Sequence, residues 1–224
     1  MDIVAYIHND FRSKFGIPRQ SGLLPDMVST IVFEPRFRDP EALRGIEGYS
    51  HLWLLWDFSE AHQDGFQPTV RPPRLGGNRR MGVFATRSPF RPNAIGLSSV
   101  RLVAVEQTEE WGTVLRVAGA DLKDHTPILD IKPYIAYTDS HPDAVGGFSD
   151  AVRDYALQVE FPAELLTHIH PEKQATGLDI LKQDPRPSYQ QDPERIYGMD
   201  FGDWNIRFTV NGDTLTVVEV TPLS

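Results

Sequence analysis

A mainly β fold, with a barrel-like core followed by a smaller α+β domain, is what this chain predicts. Three observations carry that expectation. Short apolar segments recur with short returns between them, which favours a closed or partly closed β-barrel over alternating βαβ units. Eighteen prolines and 17 glycines in 224 residues punctuate the chain too often for a helical bundle. No G-x-G-x-x-G follows a strand and no phosphate-binding P-loop occurs, so a doubly wound nucleotide-binding sheet is unsupported.

The elements follow in order. Residues 4–7 and 28–33 read as strands, separated by the loop FGIPRQSGLLPD. Asp39-Pro40-Glu41 supplies an N-cap and a proline at the first helical position, predicting a short helix over 40–45. HLWLLWDF at 51–58 is too short for a typical helix and reads as a buried strand. A long Pro- and Gly-bearing loop covers 59–80, and such loops are often functional. Strands are expected at 81–86, 95–105, 112–117, 128–131 and 133–137. Within 95–105 the apolar residues Leu97, Val100, Leu102 and Val105 mix periods, which signals a bend or bulge. The composition changes after residue 138, where SHPD and Gly146-Gly147 read as a linker. The expected domains are therefore 1–138 and 139–224. The second holds helical stretches near 148–158 and 172–183 and a terminal hairpin turning at Asn211-Gly212.

Composition excludes several function classes. No run of about 18 apolar residues exists to span a membrane, and MDIVAYIHND lacks the basic start of a secretory leader. With zero cysteines there are no disulfides, thiolate nucleophiles or thiolate metal sites, which fits a reducing, cytoplasmic setting. His168 and His170 lack a supporting carboxylate pattern, so no metal is expected. Ser98-Ser99 lacks a G-x-S-x-G elbow, against a serine hydrolase.

Charge gives the sharpest signal. The formal net charge is −9, yet residues 65–105 hold seven arginines and no Asp, Glu or Lys, leaving −16 on the rest of the chain. Arginine without lysine suits bidentate recognition of phosphate or carboxylate; a plain solvated face is the alternative. In GVFATRSPFRPNAIGLS, Pro89 and Pro92 stiffen a loop that carries Arg87, Arg91 and Asn93. Pro18-Arg19-Gln20 forms a second cationic loop. The run DLKDHTPILDIKP places Asp121, Asp124 and Asp130 around one turn, where they either build an Asx or ST turn or hold hydroxyls or an ammonium. DPRPSY, with Asp184, Arg186 and Tyr189, is another Pro-framed loop, suited either to stacking on a base or to domain packing.

These same runs, RPPRLGGNRRMGVFATRSPFRPNAIGLSSVRL, DHTPILDIKPY, DPRPSY and DWNIR, closely resemble the TsaA-like tRNA methyltransferases over nearly the whole chain, second domain included. The resemblance implies a non-Rossmann β-barrel methyltransferase core, a homodimer, and S-adenosylmethionine as cofactor. The implied reaction methylates N6 of threonylcarbamoyladenosine beside the anticodon of tRNA. It implies cofactor contacts at Pro18, Arg19, Gln20, Ser59, Glu60, Arg87, Leu97, Asp121, Leu122, Lys123 and Asp124. Substrate contacts are expected at Arg91, Asn93, Asp184, Arg186, Tyr189 and Asp203. The chain departs from the family at Ser59-Glu60, where His-Gln is usual, at His125, where DGTP becomes DHTP, and at NAIG in place of NPIG.

The residues themselves agree with that chemistry. Arg19 or Arg87 would pair the cofactor carboxylate, and Asp121 or Asp124 its ammonium or ribose. Asp124, His125, Tyr189 and Asp203 are the candidate bases, although positioning alone can serve. Two rival readings are a non-catalytic RNA-binding or cofactor-sensing module and a methyltransferase acting on another modified nucleoside.

Overall fold

The computed structural model describes residues 1–72, 79–152, 155–186 and 192–223. The chain forms two compact units, Met1–Asn9 with Pro18–Tyr134, and Asp10–Ile17 with Ile135–Ser224.

The first unit contains β1 (Ala5–His8), β2 (Val28–Phe33), β3 (His51–Asp57), β4 (Thr69–Val70), β5 (Met81–Gly82), β6 (Ile95–Thr108), β7 (Gly112–Ala118) and β8 (Pro127–Pro133). Six of these pair in the cyclic order β1-β2-β7-β6-β3-β8 and close a barrel, while β4 and β5 form a separate two-stranded ribbon. Every pairing in the barrel is antiparallel. Alternation sets which side chains fill it: along β3, Leu52, Leu54 and Trp56 point inward, and they are joined by Ile7, Ile31, Leu115 and Ile128. Each such fully buried Leu or Ile contributes about 2 kcal/mol.

The mixed period in β6 corresponds to a register shift against β7 between Leu102 and Ala104. Three sequence expectations up to residue 139 differ from the structure. The expected strand over 81–86 ends at Gly82. There the Val83 N–H reaches the Pro68 carbonyl, and the Thr86 hydroxyl donates back to the Val83 carbonyl, folding Val83–Ala85 into a 3-10 turn. The helix at 40–45 is likewise 3-10, over Pro40–Leu43, with Asp39 accepting from the Glu41 N–H at 3.0 Å. Residues beyond Pro133 leave the strand because the Asp139 carboxylate accepts from the Ile135 N–H at 2.9 Å, seating the helical turn α1 (Ala136–Asp139).

The second unit adds β9 (Gln158–Glu160), α2 (Ala163–Leu166), α3 (Pro171–Lys182), β10 (Tyr197–Phe201), β11 (Trp204–Asn211) and β12 (Thr214–Pro222). Its sheet runs β10-β11-β12-β9, with β9 parallel to β12. The expected hairpin is present: Asn211 pairs with Thr214, and Gly212 takes φ 57°, the left-handed backbone that a two-residue turn needs. Instead of the helix expected over 148–158, a 3-10 turn forms at Gly147–Val152. Asp10–Ile17 belongs to this unit: Phe11 is fully buried 6.4 Å from the Phe201 ring, and Lys173 Nζ lies 2.8 Å from Asp10.

Candidate functional site

The proline-framed loop between β5 and β6 is braced from within. The Ser88 N–H donates to Thr86 Oγ1, the Phe90 N–H to Ser88 Oγ, and the Arg91 N–H to the Pro89 carbonyl. Arg91 is half-buried, and its guanidinium donates to the Thr86 and Ser88 carbonyls at 3.0 and 3.3 Å. It therefore braces the loop that presents Arg87. Asn93 is exposed, with its carbonyl accepting from the Ile95 N–H.

Arg87 is exposed and donates to Gln20 Oε1 at 2.6 Å, a bond spanning 67 residues of sequence. Gln20 in turn donates to the Arg19 carbonyl, and Pro18 is buried beneath. Beside them lies Asp121, whose carboxyl accepts from Ser98 Oγ at 2.5 Å, and Ser98 Oγ accepts from the Trp56 indole at 2.9 Å. Packing explains the placement of the indole. Trp56 faces Gly96 across β3 and β6, where an added Cβ would lie 2.2 Å from the ring, so glycine clears the space. Burial pushes the Asp121 carboxyl above its ordinary range, against the opposing pull of the Ser98 hydrogen bond and the nearby Arg87 charge. The cluster thus sets an exposed guanidinium near a desolvated carboxylate.

Of the other expected cofactor contacts, Glu60 forms an ion pair with Lys123, Ser59 is exposed, and Leu97 is half-exposed on β6. Leu122 is buried in the barrel core. Asp124 makes a different set of contacts. It accepts from the Asn9 N–H at 3.0 Å and lies 2.7 Å from His125 Nδ1 and 3.8 Å from His8 Nδ1. Sequence reasoning did not single out His8, Trp56, Ser98 as a hydrogen-bond relay, or Trp111, which stacks on His8 at 5.7 Å. The polar Ser98 between inward-facing Gly96 and Val100 was the available signal for one of them.

In the second unit, Arg186 makes a two-pronged contact with Asp184, with Nε 2.8 Å from Oδ1 and Nη2 3.0 Å from Oδ2. Tyr155 adds a hydrogen bond to Asp184 at 2.9 Å. Burial favours the neutral Asp184, but the bonds from Arg186 and Tyr155 outweigh it and hold the carboxyl below its ordinary range. Asp203 pairs with Arg12 at 2.9 Å on the surface. Tyr189 lies outside the described residues.

Elsewhere along the arginine-rich stretch, two guanidiniums bond neutral oxygens: Arg80 reaches Thr69 Oγ1, and Arg101 the Pro25 carbonyl. Such partners leave the positive charge in place. Fold and site together define an antiparallel-barrel protein with an exposed arginine beside a half-buried, desolvated carboxyl. Residues 6–140 match the model of the tRNA-methyltransferase O N-terminal domain, and residues 154–223 match that of its C-terminal domain. The chain belongs to the tRNA-methyltransferase O family. It is 37% identical to the tRNA (adenine(37)-N6)-methyltransferase of Escherichia coli, covering 98% of this chain and 96% of that one. A Pseudomonas aeruginosa relative with the provisional name S-adenosylmethionine-dependent methyltransferase RcsF is 42% identical, covering 92% and 90%. The crystal structure of TrmO from Pseudomonas aeruginosa superposes with a TM-score of 0.77 at 35% identity, covering 99% of this chain and 97% of that one.

Proposed function

We propose that this protein is an S-adenosylmethionine-dependent tRNA methyltransferase acting on N6 of threonylcarbamoyladenosine beside the anticodon. The observation that carries the reading is the Gln20–Arg87 and Ser98–Asp121 cluster, in which segments far apart in sequence bring one cation and one desolvated anion to the same part of the barrel unit. That pair suits a ligand bearing both a carboxylate and an ammonium, as S-adenosylmethionine does. When bound, the cofactor supplies an electrophilic methyl on a sulfonium.

The protein's own residues have the remaining work. Arg87, oriented by Gln20, pairs the cofactor carboxylate; Asp121, held by Ser98, takes the positive groups. Pro18, Arg19, Ser59, Glu60, Leu97, Leu122, Lys123 and Asp124 complete the proposed cofactor set. The acceptor nitrogen belongs to a ureido group with a delocalised lone pair, so alignment at about 3–3.5 Å carries much of the rate. Exposed arginines on the barrel unit follow tRNA phosphates, with Arg91 and Asn93 shaping that loop. The second unit contributes to substrate recognition with Tyr189 and Asp203, the Asp184–Arg186 pair serving as a structural clamp. A homodimer with a non-Rossmann barrel core, working in the cytoplasm, completes the proposal. None of the described helices is long and apolar enough to cross a membrane.

The test is transfer of labelled methyl from S-adenosylmethionine to two tRNA pools, one bearing threonylcarbamoyladenosine and one lacking it. Label confined to the first pool, and located on that nucleoside by mass spectrometry, is expected. Cofactor binding without label in either pool would overturn the reading.

A further inference from the structure

The turn between β7 and β8 carries a histidine that lies outside the proposed cofactor set. The Thr126 N–H donates to the Lys123 carbonyl, closing a β-turn whose third residue, His125, has φ 61°. That left-handed position is the one a type II turn ordinarily gives to glycine or asparagine, and a histidine there carries steric strain. The strained residue points its ring at Asp124, with Nδ1 2.7 Å from Oδ2. His8, at the end of β1, brings a second imidazole edge-on to the first, with ring centroids 4.6 Å apart. One ligand atom from each of His8, Asp124 and His125 lies within 4.8 Å of the other two.

We infer that His8, Asp124 and His125 form a binding site for a divalent transition-metal ion, with zinc as the best-matched species. Two imidazoles and one carboxylate are a donor set that zinc accepts, leaving a fourth position for water or another ligand. Supporting contacts are already built. The Asn9 N–H holds Asp124 Oδ1 at 3.0 Å, and the Trp111 indole stacks on His8 at 6° between planes. The ion would replace the proton shared between Asp124 and His125 and draw the three side chains together. Asp124 also belongs to the proposed cofactor set; zinc binding is read without cofactor or tRNA, so its failure is distinct from failure of the methyltransferase reading.

Metal-stripped full-length protein titrated with zinc chloride tests it, by calorimetry and by elemental analysis after dialysis. One zinc per chain is expected, with affinity at least tenfold weaker in His125→Gly and in His8→Phe. The first variant relieves the left-handed strain and the second keeps a ring for Trp111, so both should fold. Zinc should also shift the imidazole nitrogen NMR signals of His8 and His125, and a His168→Ala/His170→Ala variant should bind as the parent does. Absence of stoichiometric zinc, unchanged affinity in His125→Gly, or loss of binding in the His168→Ala/His170→Ala variant would each overturn the site.

Discussion

Arg87 in the barrel unit and Arg186 in the second unit sit in similar proline-bearing loops, RSPFRP and DPRP, and read alike as anion-binding guanidiniums. The structure separates them by their partners. Arg87 is exposed and bonded to the neutral amide of Gln20, a bond that leaves its charge in place. The Arg186 side chain is 10% exposed and forked onto a carboxylate that is 11% exposed, so the pair is neutralised within the fold. A rigid arginine loop is therefore not in itself a binding loop; the charge of the partner distinguishes presentation from clamping.

The comparison breaks most decisively at Arg186. Arg186→Ala leaves Asp184 buried without its counter-charge and should cost about 3 kcal/mol of stability at neutral pH. The depressed Asp184 carboxyl gives the sign of the pH dependence. Its contribution is complete above the ordinary aspartate range and is lost as pH falls through the lower folded value. Thermal unfolding of parent and variant should thus differ widely at about pH 7 and converge toward about pH 2; a pH-independent difference would contradict the clamp. Arg87→Ala should do the reverse, leaving melting nearly unchanged while weakening S-adenosylmethionine binding by about 2 kcal/mol, or roughly thirtyfold. Calorimetry on the folded variant would show it, and an unaltered affinity would place Arg87 outside the site. The smallest effect is expected at Asp121→Asn. The raised Asp121 carboxyl means that stability present at acid pH is lost as pH rises through its folded value. The neutral amide should therefore raise stability by about 1 kcal/mol at neutral pH while lowering methyl transfer. A fall in both quantities would show Asp121 to be purely structural.

Much of the barrel was legible because alternation and turn chemistry are local. HLWLLWD reports its inward face in every second residue, the broken period of 95–105 foretells the register shift, and Asn211-Gly212 foretells its hairpin. The expectations that differ depend on capping and loop contacts across distance. No pattern in 81–86 shows that Val83 will bond Pro68, and none in 133–137 shows that Asp139 will seat a helical turn. The candidate site divides similarly. Motif resemblance drew attention to Gln20, Arg87 and Asp121, while His8 stood 116 residues before Asp124 with nothing local to connect them. The substitution of histidine for the family's glycine at position 125 was visible, but its left-handed backbone was not.

One consequence concerns how the protein is made. Asp10–Ile17 is synthesised directly after the first barrel strand, yet Phe11 packs beside Phe201, which emerges from the ribosome almost last. A nascent chain must therefore carry an uncovered aromatic segment, tethered to both sides of the barrel sequence, until translation is nearly complete. A chain cut near Ala144 would leave that segment uncovered for good. Self-association of such a fragment would then reflect unfinished folding rather than a loss of substrate recognition.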